Sequence, residues 1–182
     1  MDLRYRKLNA LGLLAISAVL AYAFASQFIT GELPCPLCLL QRIGFVAVGL
    51  GLLMNVMLGP RPAHYGFAII AAIAGGIFAL RQVSLHVIPG TPPYGDPFFG
   101  MHFYTWAFIL FAVMITGLAA LVGLRAQYED TAGYQPLRLQ PLLCKLGVLA
   151  LLLMMAANVL LTFAECGPGV CPDNPTDYWL LR

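Results

Sequence analysis

The chain has 182 residues, of which 60% are hydrophobic and only 10% charged, with a formal net charge of +2. A soluble domain of this size carries about a quarter charged residues. So few charges cannot cover a water-facing surface, which excludes a soluble globular fold, and no nucleic-acid partner is expected.

The apolar residues fall in blocks, and runs of about 20 are long enough to cross the hydrocarbon core of a bilayer. Five such runs predict helices at Leu8–Ile29, Leu37–Leu58, Tyr65–Leu85, Phe103–Leu124 and Leu142–Phe163. In hydrocarbon every backbone N–H and C=O must be paired within its own segment, so each run is expected to be helical. The first run follows basic residues, as a signal peptide does. It is longer than a signal core and lacks a small-residue cleavage site before Glu32, so it is read as a helix. Gly31-Glu32-Leu33-Pro34 breaks the chain before the second run, which opens on Cys35-Pro36-Leu37-Cys38. Gly59-Pro60-Arg61-Pro62 separates the second and third runs, and Pro89 through Phe99 the third and fourth. A longer polar stretch, Arg125 through Pro141, precedes the fifth run, and residues 164–182 form a tail. Gly44, Gly49, Gly51, Gly75 and Gly76 lie inside the runs, where glycine lets neighbouring helices approach closely. The fold class is therefore an all-α integral membrane protein, a single transmembrane domain.

Five crossings put the termini on opposite sides. Arg4, Arg6, Lys7, Arg61, Arg125, Arg138 and Lys145 belong to the N-terminal side. Glu32, Asp96, Glu165, Asp173 and Asp177 belong to the other, with Arg42 and Arg81 near helix ends and Arg182 at the terminus. Short loops rich in Lys and Arg stay in the cytoplasm, so the N-terminus is expected inside and the C-terminus outside. Cys35, Cys38, Cys166 and Cys171 then share the outer, oxidising compartment, while Cys144 lies at the inner end of the fifth run. Cys144, beside Lys145, reads as a buried or interfacial small residue.

Cys35 and Cys38 can close a small ring, and at a helix N-terminus the free N–H groups and the dipole favour a thiolate. Arg42 lies four residues after Cys38 on the same helix face, and an arginine at the membrane edge needs a partner. Two other readings stay open: half of a metal site, though there is no second Cys-x-x-C and no histidine pair at ligand spacing, and an inert staple, though so short a loop constrains little.

Leu33-Pro34-Cys35-Pro36-Leu37-Cys38-Leu39-Leu40-Gln41-Arg42 resembles the first periplasmic loop and second helix of DsbB-type disulfide bond formation proteins. The resemblance continues through Arg81-Gln82-Val83-Ser84-Leu85-His86 with Pro89, and through Pro97-Phe98-Phe99-Gly100 to Trp106, spanning roughly residues 8 to 124. It implies a four-helix transmembrane bundle of DsbB type, to which this chain adds a fifth helix. It also implies a bacterial inner-membrane thiol oxidase that reoxidises a periplasmic DsbA-like partner and passes electrons to ubiquinone or menaquinone. Cys38 would be the sulfur that meets the quinone, with Cys35 resolving and Arg42 contacting the quinone.

That family carries a second cysteine pair between its third and fourth helices, and His86 to His102 here contains none. Cys166-Gly167-Pro168-Gly169-Val170-Cys171 is expected to replace it: the Gly-Pro-Gly turn brings the sulfurs together, and the polar tail from Pro172 to Tyr178 is expected to be mobile. The alternative is a structural staple. Arg81 and His86, at the outer end of the third helix, are candidates to complete a quinone slot. Gln41 points about 100° away from Arg42 around the helix. His102, Tyr104 and Trp106 read as an interfacial aromatic belt, and Phe98 and Phe99 as a shallow cap. Two further classes remain: a reductase of the vitamin K epoxide reductase type, whose redox motif lies later in the helical core, and a transporter or assembly factor with structural disulfides. The latter would show intramembrane charges or broken helices, and only Asn55 and Asn158 are polar candidates.

Overall fold

The computed structural model describes residues 3–129 and 133–181; Arg182, counted above among the outer charges, lies outside them. Five helices are long and apolar enough to cross a membrane, and the chain is a multi-pass membrane protein: α1 (Arg4–Thr30), α2 (Pro36–Leu58), α3 (Pro62–His86), α4 (Phe103–Val122) and α5 (Leu142–Cys166). Among the described residues the only other regular elements are short 3-10 turns at Arg125–Tyr128, Leu137–Leu139 and Trp179–Leu181.

Local chemistry fixes the ends. α1 stops at Gly31, which takes the left-handed conformation (φ 71°) that glycine adopts without a Cβ clash. Pro36 and Pro62 open α2 and α3 at positions where a missing N–H costs nothing. α1 begins four residues before the apolar run because Arg6 is drawn inside. Its guanidinium donates to the carbonyls of Val56, Met57 and Gly133, capping the end of α2. Asn9 follows one turn later, donating to Tyr65 Oη at 2.8 Å and accepting from Asn55 Nδ2 at 3.0 Å. These buried groups satisfy one another, as polar side chains away from water must. Asn55, one of the two polar residues singled out above, is thus part of helix packing.

α2 packs on α3, α3 on α4, and α1 on both α2 and α5, while α5 also touches α2. α2 and α3 meet at glycines: a Cβ on Gly44 would lie 2.9 Å from the Gly75 Cα, so the backbones touch where Phe111 of α4 closes over them. Ile70, Ile73 and Ile77 form the opposite, exposed stripe of α3, as a lipid-facing surface requires. α1 and α4 do not pack closely, and the gap between them at the Cys35 end of the bundle becomes the cavity described next.

Candidate active site

Cys35 caps α2. Its Sγ accepts the backbone N–H of Cys38 at 3.2 Å, and the proline between them starts the helix, so the motif itself builds the turn that holds both sulfurs. Both cysteines are thiols here. The side-chain hydrogen bond with Cys38, and then burial, push the Cys35 thiol above its ordinary value.

Gln82 of α3 binds both sulfurs. Its Nε2 lies 3.2 Å from Cys35 Sγ and 3.5 Å from Cys38 Sγ, and its Oε1 accepts from Gln41 Nε2 at 2.7 Å. Gln82 is the last member of the buried small-residue face of α3, after Ala68, Ala72, Gly75 and Ala79. That helical phase was the signal that could have found it. Arg81, one position away, is exposed and outside the cavity. His86 is at the end of α3, where its Nδ1–H donates to the Gln82 carbonyl at 2.8 Å. Its ring stacks on Tyr104 at 5.1 Å, so it stands behind the cavity wall rather than in it.

Arg42 turns toward α1. Nη1 donates to Gln27 Oε1 at 2.8 Å, Nη2 to the Ala23 carbonyl at 3.3 Å, and the guanidinium lies 4.8 Å from the centre of the Phe24 ring. Gln27 in turn donates to Tyr178 Oη at 2.9 Å. Its position at the end of the buried stripe Leu13, Leu20, Phe24 marks it, as Gln82 is marked on α3.

These groups line a cavity of about 430 Å³ in the gap between α1 and α4, within the range of small-molecule sites. Cys38, Gln41, Arg42 and Gln82 form its polar wall. Gln41 and Arg42 both reach it, despite their angular separation, because the space runs across the face of α2 from α1 to α3. Tyr104, Trp106 and Phe98, read above as an interfacial belt and a cap, also line the cavity. Trp106 Nε1 donates to the Phe98 carbonyl at 2.9 Å, holding the loop over the opening, whereas Phe99 is 83% exposed. Tyr94 ties the same loop to the strand of chain before Cys35, donating to the Leu33 carbonyl at 2.6 Å. Burial, then the neighbouring charges of Cys35 and Cys38, push its phenol above the ordinary tyrosine range.

The second cysteine pair is a disulfide, Cys166–Cys171, with Cα atoms 4.6 Å apart. α5 runs further than its apolar run, so Cys166 is its last residue rather than a loop residue, and it is buried. The tail expected to be mobile is folded back: Tyr178 is bonded to Gln27, and Trp179 covers Gly167 and packs on Phe163 at 6.1 Å. Glu165, counted above as a solvent-side acid, is 3% exposed, and neither carboxylate oxygen has a hydrogen-bond partner among the described residues. It continues the inward stripe Cys144, Leu151, Asn158 at intervals of seven residues, which is how the sequence marks it. Cys144 is fully buried near the opposite end of α5. No cluster of three or more metal-ligating side chains exists among the described residues.

A family model described as "Disulfide bond formation protein DsbB" matches residues 5–94, which covers α1 to α3 with Cys35, Cys38, Arg42 and Gln82. "Disulfide bond formation protein B" of Xanthomonas campestris pv. campestris is 38% identical over 90 residues, 47% of this chain and 52% of that protein. The protein of the same name from Chromobacterium violaceum is 35% identical over 115 residues, 58% of this chain and 68% of that one. "Disulfide bond formation protein B 1" of Pseudomonas aeruginosa is 35% identical over 88 residues, 46% and 54% respectively. The chain spans about half the length of the Xanthomonas and Pseudomonas relatives, and α5 with its cysteine pair lies outside the family match. No solved structure gives a significant match.

Proposed function

Because this chain belongs to the DsbB family of disulfide bond formation proteins, we propose that it is a membrane protein-disulfide oxidoreductase that reoxidises a periplasmic DsbA-like dithiol protein and delivers the electrons to a membrane quinone. The observation that carries this reading is the placement of Cys38 and Arg42 together on the wall of an apolar cavity open between α1 and α4. The protein lies in the bacterial inner membrane with its N-terminus cytoplasmic and both cysteine pairs periplasmic. The basic residues of the N-terminal side support this orientation, although Arg6 is spent on capping α2.

The lining fits a quinone ring: it is mostly apolar, and Arg42 and Gln41 on its polar wall carry N–H groups that would hold the quinone oxygens. A bound quinone, ubiquinone or menaquinone, would supply the oxidising equivalent by taking up two electrons and two protons. Arg42 would orient it and stabilise negative charge. Gln82 holds the two sulfurs side by side, so that Cys35 is placed to act as the resolving thiol for Cys38. Arg81 and His86 contribute at most through the helix end that positions Gln82 and Tyr104.

Upstream, a thiolate of the reduced partner attacks Cys166–Cys171, and a second partner thiolate completes the exchange, leaving the tail couple reduced and the partner oxidised. A tail thiolate then attacks the Cys35–Cys38 disulfide. The displaced sulfur takes a proton, and the second tail thiolate closes Cys166–Cys171 again. The folded tail favours a second reading of this pair as a staple. The test is turnover of a reduced DsbA-like protein by purified enzyme with a short-chain quinone. Cys38→Ser is expected to abolish it, and Cys166→Ala with Cys171→Ala to reduce it to background. Undiminished turnover in the tail variant assigns that disulfide to structure alone.

A further inference from the structure

Glu165 has no part in the scheme above, yet a carboxyl group removed from water without donors is costly, and such groups are normally paired. Arg42 is close enough for its charge to act on Glu165, and so is Cys38. Nevertheless Arg42 donates to Gln27 and Ala23, and no ion pair locks the carboxyl. The titratable and charged groups near enough to act electrostatically with it are Arg42 and Cys38 from α2 and Tyr94 from the loop before α4. On its own helix, Cys166 is the next residue. Glu165 thus adjoins Cys166 on α5 and lies within electrostatic reach of Cys38, buried, and able to gain or lose a proton without breaking a hydrogen bond among the described residues.

We propose that Glu165 is the proton carrier of the exchange between the two couples, an inference that rests on the relay proposed above. Its carboxylate takes the proton of the attacking thiol of the reduced Cys166/Cys171 couple, which leaves a thiolate and a carboxylic acid. The thiolate forms a bond to one sulfur of Cys35–Cys38 and displaces the other. The displaced thiolate takes the proton back from Glu165. This first exchange leaves a mixed disulfide; the second tail thiol then gives its proton to Glu165 and attacks the tail sulfur of that bond, closing Cys166–Cys171 and releasing the second Cys35/Cys38 thiolate, which takes the proton. Over the two exchanges two electrons and two protons reach the Cys35/Cys38 couple, and the carboxylate is restored. General acid–base assistance of this kind is worth about 10²- to 10⁴-fold in rate.

The test uses full-length protein in detergent, with the tail couple reduced, Cys35–Cys38 oxidised and no quinone added. Single-turnover exchange is followed by acid quench and thiol alkylation across a pH series. Glu165→Gln is expected to slow exchange about 100-fold and to remove a carboxyl-dependent step from the pH profile, while Glu165→Asp recovers part of the rate. Infrared spectra of wild-type protein across the same pH series should show a protonated-carboxyl band that gives way to carboxylate as pH rises and that Glu165→Asp shifts, a readout that does not depend on the Gln variant folding. Exchange by Glu165→Gln at the wild-type rate, an equal slowing at every pH shared by Glu165→Asp, or no such band would each overturn the proposal. If wild-type protein does not exchange at all, the relay itself falls, and the carrier with it.

Discussion

Arg42→Met and Arg42→Lys separate the charge of the guanidinium from its shape. Arg42 spends one nitrogen on Gln27 Oε1 at 2.8 Å and another on the Ala23 carbonyl at 3.3 Å, which fixes the plane of the fork over Phe24 and against the cavity. Methionine keeps most of the stem and its packing but removes every donor. A hydrogen bond from a charged donor contributes about 1.5–3 kcal/mol, and about 1.4 kcal/mol is tenfold in rate. Arg42→Met should therefore lower kcat/KM for quinone by about 10- to 150-fold. Lysine keeps the charge on one nitrogen, which cannot serve Gln27, Ala23 and a ligand together. Its loss should be smaller than that of methionine, and expressed chiefly in KM. Initial rates of quinol formation, with reduced partner saturating and quinone varied, give both constants. Should Arg42→Met keep kcat/KM within about twofold of wild type, the arginine has no role at the acceptor, and the cavity is not the quinone site.

Gln82→Leu removes both N–H contacts to sulfur and leaves Gln41 Nε2 unpaired in a buried place. It should cost about 1–3 kcal/mol in stability and slow Cys35–Cys38 turnover, read by thermal denaturation in detergent alongside the activity assay. Gly44→Val would press a side chain against the Gly75 backbone, and overpacking of this kind costs about 1–3 kcal/mol; it should lower Tm without touching any redox group. Tyr94 holds its proton above the ordinary tyrosine range. The unfolded phenol ionises near pH 10, so the folded state binds the extra proton above that pH and stability falls as pH rises further. Tyr94→Phe should flatten this alkaline limb while removing the bond to Leu33, about 1 kcal/mol, as denaturation curves at several pH values would report.

The all-helical membrane fold was legible because hydrocarbon leaves the backbone one choice, and because Pro36, Pro62 and Gly31 punctuate the runs. Cys35, Cys38 and Arg42 stood out because they lie within one turn or two of a single helix. Gln27, Gln82 and Glu165 escaped because each is one polar residue at the end of an apolar stripe. Its burial depends on helical phase and on which neighbour covers that face. Residue type favoured Arg81 and His86, whereas phase turns Arg81 outward and lays His86 behind Tyr104. An aromatic belt and an aromatic cavity wall have the same composition at the same depth, so Tyr104 and Trp106 could be assigned only once the gap between α1 and α4 was seen. Arg6 looked like a cytoplasmic loop charge and proved to be a helix cap, which required knowing that α2 ends beside it.

Disulfide cross-linking in native membranes, with one cysteine kept from each couple and the others replaced by serine, reads the route of the electrons most directly. At least one of the four pairings of Cys35 or Cys38 with Cys166 or Cys171 should join α2 to the end of α5 under mild oxidation, and an impermeant thiol reagent added outside should block it. If no pairing joins, or if the reagent reaches the tail only after the membrane is opened, the two couples do not exchange electrons and the account fails.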